Sequence, residues 1–402
     1  MSQLPAIEMG SAEPPAIDRR RALLILALSW LVAVNLRTVL LAVPPVLPLI
    51  HHDLGLSYTE VGLLTSLPTL LMGLAAVPGA FLIARTSARA AVTVGLAILA
   101  MGALLRAVAS DAAWLFLFTV LLSLGIAVVQ PALPVLVKQW FPRRIGQATA
   151  IYSNGLIIGE ILAASLTGPL LLGAFGADAW RMTFVIWALP IGVLVVIWAL
   201  AAPRAQRLAG AVKTRWQAGW ATGRGWHLGF LIGSGSLAYF AMNAWIPDYY
   251  KVLGRTDTAA ALTVLNIMQL PVSVLLTMAA RWLAGRRWPL VLSGAACLVG
   301  MGGWFLAPAG SDLIWVGLLG AGSSAVFLLS LALPPLLSGE HEVAGLTGVM
   351  LTLGYTTAFL GPLIGGALWD VSGVPALAFL PVLIASAGQV VLGATLPKAR
   401  GA

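Results

Sequence analysis

From residue 22 to residue 396 the sequence is a succession of apolar runs, each long enough to cross a bilayer as a helix. A hydrocarbon core of about 30 Å needs about 20 such residues at about 1.5 Å per residue. Twelve runs meet that length: 22–50, 57–84, 88–109, 112–139, 145–173, 180–201, 226–252, 258–283, 287–307, 312–337, 343–369 and 374–396. Composition agrees. Only 9% of the residues are charged, against roughly 25% in a soluble domain, which is too few to build a water-facing surface at this length. The expected class is an all-α polytopic membrane protein with twelve transmembrane helices in two six-helix halves.

Most breaks between runs are short. The exception is 202–225, which carries Arg204, Arg207, Lys213, Arg215 and Arg224. The expected organisation is therefore a tail at 1–21, a six-helix bundle at 22–201, a linker at 202–225, a second bundle at 226–396 and a tail at 397–402. Arg19, Arg20 and Arg21 precede the first run like a secretory n-region, but that run exceeds an h-region of about 7–15 residues, so a retained helix is expected. Ser57-Tyr58-Thr59-Glu60 has capping-box spacing and suits the start of the second helix. Prolines fall inside several runs, among them Pro44, Pro68, Pro78, Pro131, Pro134, Pro271 and Pro334. They fit ordinary kinks or gating elements, since freed backbone groups are tolerated beside a helix neighbour or a wet cavity.

The net charge is +9, but the basic residues sit in short clusters between runs, with no basic domain to dock on nucleic acid. They serve instead to orient the chain. With the N-terminus inside, eighteen Lys and Arg fall on inside segments and four outside (Arg106, Arg181, Lys251, Arg255). The positive-inside rule then puts both termini in the cytoplasm, in the cell's inner (plasma) membrane. The single cysteine, Cys297, allows no intramolecular disulfide.

The remaining basic residue, Arg37, lies about 22 Å along the first helix from its cytoplasmic end. A guanidinium cannot shed its proton there, and at membrane depth it costs at least about 2.5–3.5 kcal/mol unless paired or wet. It is expected to face a cavity, either attracting an anionic substrate or tied structurally to carbonyls or an acid. Glu160 lies at similar depth in the fifth helix. The two can pair. Burial raises a carboxyl pKa and a guanidinium lowers it, which fits either proton coupling or a fixed ion pair. Asn35, Gln130, Tyr152, Asn154, Tyr239, Asn243, Gln269 and Tyr355 are further polar groups at membrane depth. All but Tyr152 are taken as candidate substrate contacts. Each can equally join helices, at about 0.6 kcal/mol per contact.

Trp30, Trp114, Trp140, Trp180, Trp226, Trp288 and Trp315 suit an interfacial belt. Trp245, between Asn243 and Pro247, fits either the belt or a gate. His51 and His52 are expected to be exposed at a helix end, and His341 lies between Glu340 and Glu342; none forms a metal-ligand set. No Walker loop, metal-spaced cluster or nucleophile elbow is present, so neither enzyme activity, cofactor nor metal is expected, and any transport must run on gradients.

The halves echo each other. Leu133-Pro134 matches Leu333-Pro334, and Gly146 and Gly155 match Gly345 and Gly354. Internal repeats of this kind suit alternating access.

The six-plus-six pattern with a basic central loop resembles the major facilitator superfamily. Asn35-Leu36-Arg37, Gly62-Leu63-Leu64-Thr65-Ser66-Leu67-Pro68, Gly102-Ala103-Leu104-Leu105-Arg106, Leu133-Pro134 through Phe141-Pro142, and Gly354-Tyr355 leading to Gly361-Pro362-Leu363 resemble the cyanate permease group, which includes nitroimidazole transporters. The resemblance implies Asn35 and Arg37 beside a cavity, Arg106 near the outer end of the third helix, and a small anionic or compact polar substrate. Three features depart from it. Gln130 replaces an asparagine, Glu160 replaces a small residue, and the loop motif after the second helix keeps Gly79, Arg85 and Arg89 without an aspartate. The expected function is proton-coupled or facilitative import of a small anion or compact polar solute, cyanate-like as the resemblance implies, by a monomeric secondary active transporter working by alternating access. The alternatives are efflux of small aromatic or nitro compounds, and a non-transporting membrane sensor.

Overall fold

The computed structural model describes residues 19–74, 85–176, 179–204, 222–283, 285–308, 310–338 and 342–397. Pro78, Gly79, Glu340, His341, most of the central linker and most of both tails lie outside them. The described residues form twelve helical segments and no strand. In chain order these are α1 (Arg19–Leu54), α2 (Tyr58–Leu74), α3 (Ala88–Ala107), α4 (Ala112–Trp140), α5 (Ile145–Phe175), α6 (Trp180–Ala201), α7 (Gly223–Val252), α8 (Thr258–Met278), α9 (Arg287–Leu306), α10 (Asp312–Leu331), α11 (Val343–Ser372) and α12 (Pro375–Ala394).

Ten of these are long and apolar enough to span a membrane. The exceptions are α2, whose described part has 17 residues, and α7, rich in glycine and serine. Helix α7 is enclosed by α10, α11 and α12, and most of it is buried. A helix that meets protein on most sides needs no apolar coat.

The local signals in the sequence form as expected. The Ser57 amide donates to Glu60 Oε2 at 2.7 Å, and the Glu60 amide donates to Ser57 Oγ at 3.2 Å. Pro271 has no N–H to give the Ile267 carbonyl, and α8 breaks at Met268, between Asn266 and Gln269.

Within the first six segments, α1 packs on α5 and α3 on α4 and α6; within the last six, α7 packs on α11 and α9 on α10 and α12. Two seams join the halves, α2 against α11 and α5 against α8. Glycines set their closeness. A Cβ on Gly62 would lie 2.3 Å from the Pro362 carbonyl, and one on Gly366 would lie 2.2 Å from that of Tyr58.

The tryptophans divide. Trp114, Trp226 and Trp288 are half exposed, as a belt requires. Trp140 and Trp180 are buried, contrary to that expectation, because Trp140 packs on Trp198 and Trp180 on Phe184 within the first half. Trp245 is fully buried, 5.8 Å from Trp369 and 6.4 Å from Tyr58 between ring centroids, so it belongs to the seal between halves and not to the belt.

Candidate functional site: a charged cavity between the halves

The approach of α1 to α5 creates the site. A Cβ on Gly159 would meet the Val34 carbonyl at 2.3 Å and Arg37 Cβ at 3.1 Å. Glycine at that position lets the two backbones touch, which places Arg37 beside the next residue of α5, Glu160. Arg37 Nε lies 3.4 Å from Glu160 Oε1, and both residues are buried.

The second half closes on the same carboxyl. Gln269 Nε2 donates to Glu160 Oε2 at 2.6 Å. The Tyr239 hydroxyl stands 2.9 Å from Glu160 Oε2 and 2.5 Å from Asn266 Oδ1. Asn266 Nδ2 donates to Asn243 Oδ1 at 3.0 Å and to the Leu262 carbonyl at 2.8 Å. Asn243 Nδ2 donates to the Tyr239 carbonyl at 3.0 Å. Nearer the basic side, Gln130 Nε2 donates to the Tyr355 hydroxyl at 3.0 Å, and that hydroxyl also meets the Arg37 guanidinium.

Arg37, Glu160, Gln130, Gln269 and Tyr355 line a cavity of about 410 Å³. A smaller chamber of about 50 Å³ joins it at Arg37 and Glu160 and is closed by Tyr239 and Phe240. Apolar side chains, among them Met72, Leu156, Phe327 and Leu351, make up much of the rest. The large cavity lies in the half of the bundle nearer the basic loops, where α5 and α11 begin and α2, α4 and α8 end. Among the described residues, Arg37 Nε and Gln130 Oε1 have no hydrogen-bond partner. Arg37 Nε is held by its ion pair with Glu160 alone.

The sequence-derived candidates separate into three sets. Arg37, Glu160, Gln130, Tyr239, Gln269 and Tyr355 meet at the cavity. Asn243 stands one residue behind it, joined through Asn266, which sequence reasoning passed over. Asn35 and Asn154 turn elsewhere: Asn35 Nδ2 donates to the Leu31 carbonyl of its own helix at 2.8 Å, and the exposed Asn154 accepts from the Trp30 indole at 3.1 Å.

The opposite side is sealed. The Asp370 carboxylate on α11 accepts from the amides of Tyr58 and Thr59, at 3.0 and 2.7 Å, and from the Thr59 hydroxyl. It therefore caps the first turn of α2 from the other half. Tyr58 stacks on Trp369 at 3.9 Å. His51, expected to be exposed, is half buried against Tyr58, with Nδ1 3.4 Å from Asp248. Lys251 donates to the Pro48 carbonyl at 3.1 Å.

A two-seamed bundle, sealed at one end and hollow at the other around buried charges, is the architecture of a secondary carrier. The Major Facilitator Superfamily model matches residues 22–362. The chain belongs to the Major Facilitator Superfamily. It is 30% identical over 346 residues to the cyanate transport protein CynX of Escherichia coli (strain K12), covering 85% of this chain and 89% of that protein. It is 25% identical over 385 residues to the 2-nitroimidazole transporter of the same strain, covering 94% and 96%. A bacterial homologue of the human lysosomal transporter Spinster, solved inward-facing and unoccupied, superposes with a TM-score of 0.70 at 17% identity, covering 94% of this chain and 95% of that one. This superfamily member is thus a multi-pass membrane transporter for a small molecule, and not an enzyme.

Proposed function

We propose that the protein is a monomeric, proton-coupled carrier of a small cyanate-like anion, working by alternating access in the inner membrane with both termini cytoplasmic. One observation carries the reading: Arg37, the one cation among the described residues that line the cavity, is paired with a carboxyl, Glu160. Two unit charges about 4 Å apart attract by on the order of 4 kcal/mol at an effective dielectric of 20. An incoming anion cannot displace the Glu160 carboxylate against that attraction. A proton on Glu160 removes the competitor and leaves Arg37 for the anion, so proton and anion enter together.

The Glu160 carboxyl is also tied to the second half by hydrogen bonds that it accepts. The Tyr239 hydroxyl has one proton and two neighbouring oxygens, Glu160 Oε2 and Asn266 Oδ1. The Asn266 amide is fixed by its donation to the Leu262 carbonyl, so its Oδ1 must accept, and it accepts from Tyr239. The same hydroxyl proton is shared with Glu160 Oε2, 2.9 Å away, which also accepts from Gln269. A proton on the carboxyl would neutralise the ion pair within the first half and weaken the bonds it accepts from the second. That is how titration of one group moves α5 against α7.

The 30% identity to a cyanate transport protein supports an anion of this size. A specific observation favours a second reading. The cavity, at about 410 Å³ and with many apolar walls, has room for a small aromatic, as efflux of nitro compounds would need. Counterflow in proteoliposomes decides between them, using cyanate, nitrate and formate against 2-nitroimidazole, with and without a pH gradient. Trans-stimulated cyanate entry, enhanced by an acid exterior, is expected. Counterflow of 2-nitroimidazole alone would overturn the anion reading.

A further inference from the structure

A second buried cation lies outside the cavity, on its sealed side. Arg106, at the outer end of α3, is 2% exposed. Its Nη1 donates weakly to the Val39 carbonyl at 3.4 Å, and its guanidinium stacks at 4.1 Å over the Phe184 ring. Among the described residues, its Nε and Nη2 have no partner, and none of the ion pairs includes it. A buried guanidinium cannot discharge itself, and leaving it unpaired costs several kcal/mol.

Arg106 lines a pocket of about 20 Å³ between α1, α2, α4 and α7. About 10–15 Å³ holds one water-sized group, so this space suits a particle of one to three heavy atoms. The hydroxyl donors on its wall, those of Thr65 and Thr119, are spent within their own helices, Thr119 on the Leu115 carbonyl at 2.7 Å. Asn243 gives one N–H to its own helix, at the Tyr239 carbonyl. No acidic side chain lines it. Phe240 lines both this pocket and the chamber around Arg37 and Glu160, so one aromatic ring divides the two.

The geometry points to Arg106 as the centre of a second anion site, holding a monovalent anion of one to three heavy atoms on the outer side of Phe240. The sealed rim closes over this site, and the site does not require Arg37 to bind substrate. It gives the carrier two cationic stations in series, one on each side of the Phe240 partition.

The test uses the full-length protein in detergent with sodium gluconate, whose anion is too large for the pocket. Sodium chloride or sodium azide is added at constant ionic strength and the thermal midpoint followed. In an Arg37→Gln background, a saturable rise in midpoint of several degrees is expected. Adding Arg106→Gln should abolish it, and Arg106→Lys should keep part of it. A response to chloride alone limits the ligand to one heavy atom, and a response to azide extends it to a three-atom anion of cyanate's size. A rise unchanged by Arg106→Gln would overturn the proposal. So would a response lost with Arg37→Gln alone, which would leave the central anion reading standing. Should the Arg106 variants fail to fold, bromide-soaked crystals of the unmodified protein supply the second readout. An anomalous peak beside Arg106 is expected, and peaks only elsewhere would refute the site.

Discussion

The outer rim and the central layer both tie the two halves together, by opposite chemistry. At the rim, one carboxylate of α11 caps the backbone of α2, aromatic rings stack, and glycines let the helices touch. These bonds are formed whatever the protonation of Glu160. In the central layer the same two halves meet through Glu160, whose charge sets the strength of the bonds it accepts from Tyr239 and Gln269. On the proposed mechanism the rim holds a conformation and protonation at the centre releases it. A carrier needs both, because a seal that titrated with its own substrate site would leak, and a site without a seal would be a channel.

The largest effect separates the two regions outright. Arg37→Lys should lower cyanate counterflow at least 100-fold, because a compact ammonium on a different stem cannot reproduce the guanidinium's contacts with Glu160 and Tyr355. Size-exclusion behaviour and thermal midpoint should stay near those of the parent. Retained uptake would remove Arg37 from the centre of the comparison. At the rim, Asp370→Ala removes three bonds to the start of α2. Charge-assisted bonds are worth about 1.5–3 kcal/mol, less where exposed as here. Opening of the sealed side should become about tenfold more frequent. A Thr65→Cys reporter, read with a membrane-impermeant maleimide against the buried Cys297, measures it. An unchanged labelling rate would mean that the rim does not hold the conformation.

The smallest effect tests whether rim charges matter only where they bridge halves. Arg255 pairs with Asp257 and Asp312, all within the second half. Its guanidinium holds the Asp257 carboxyl below the ordinary carboxylate range. A depressed acid contributes stability above its usual pKa of about 3.9, and that stability fades as pH falls through the lower folded value. The pair is partly exposed, so Asp257→Asn should cost under about 1 kcal/mol at pH 7 and progressively less as pH falls below the ordinary carboxylate range. The Thr65→Cys labelling rate should not change.

Much of this was legible in the sequence because lipid is a strict solvent. A charge inside an apolar run has few places to go, so Arg37 and Glu160 stood out and the structure pairs them. Neutral amides are cheaper and less constrained. Asn266, between Leu265 and Ile267, looked like any polar residue in a helix, yet it fixes the direction of the Tyr239 hydrogen bond. Asn35 and Asn154 looked like site residues and satisfy themselves elsewhere. Arg106 was counted among the outer charges because depth was measured along the chain, and lateral burial does not show in a single helix. The same limit applied to His51 and Trp245, at chain positions suited to an exposed end and a belt, which the packing of α2 and α11 draws into the seal. Helix α7 was the least apolar span for the same reason, since it faces protein.

The most direct test of the central claim is cyanate transport by Glu160→Gln in proteoliposomes, comparing counterflow at equal pH with accumulation driven by an acid exterior. The amide keeps the shape of the protonated carboxyl and cannot release a proton. The account predicts counterflow within a few-fold of the parent, flat across pH 5–8, and no accumulation driven by the gradient. Continued pH-driven accumulation would contradict it, and would assign the coupling proton to another group.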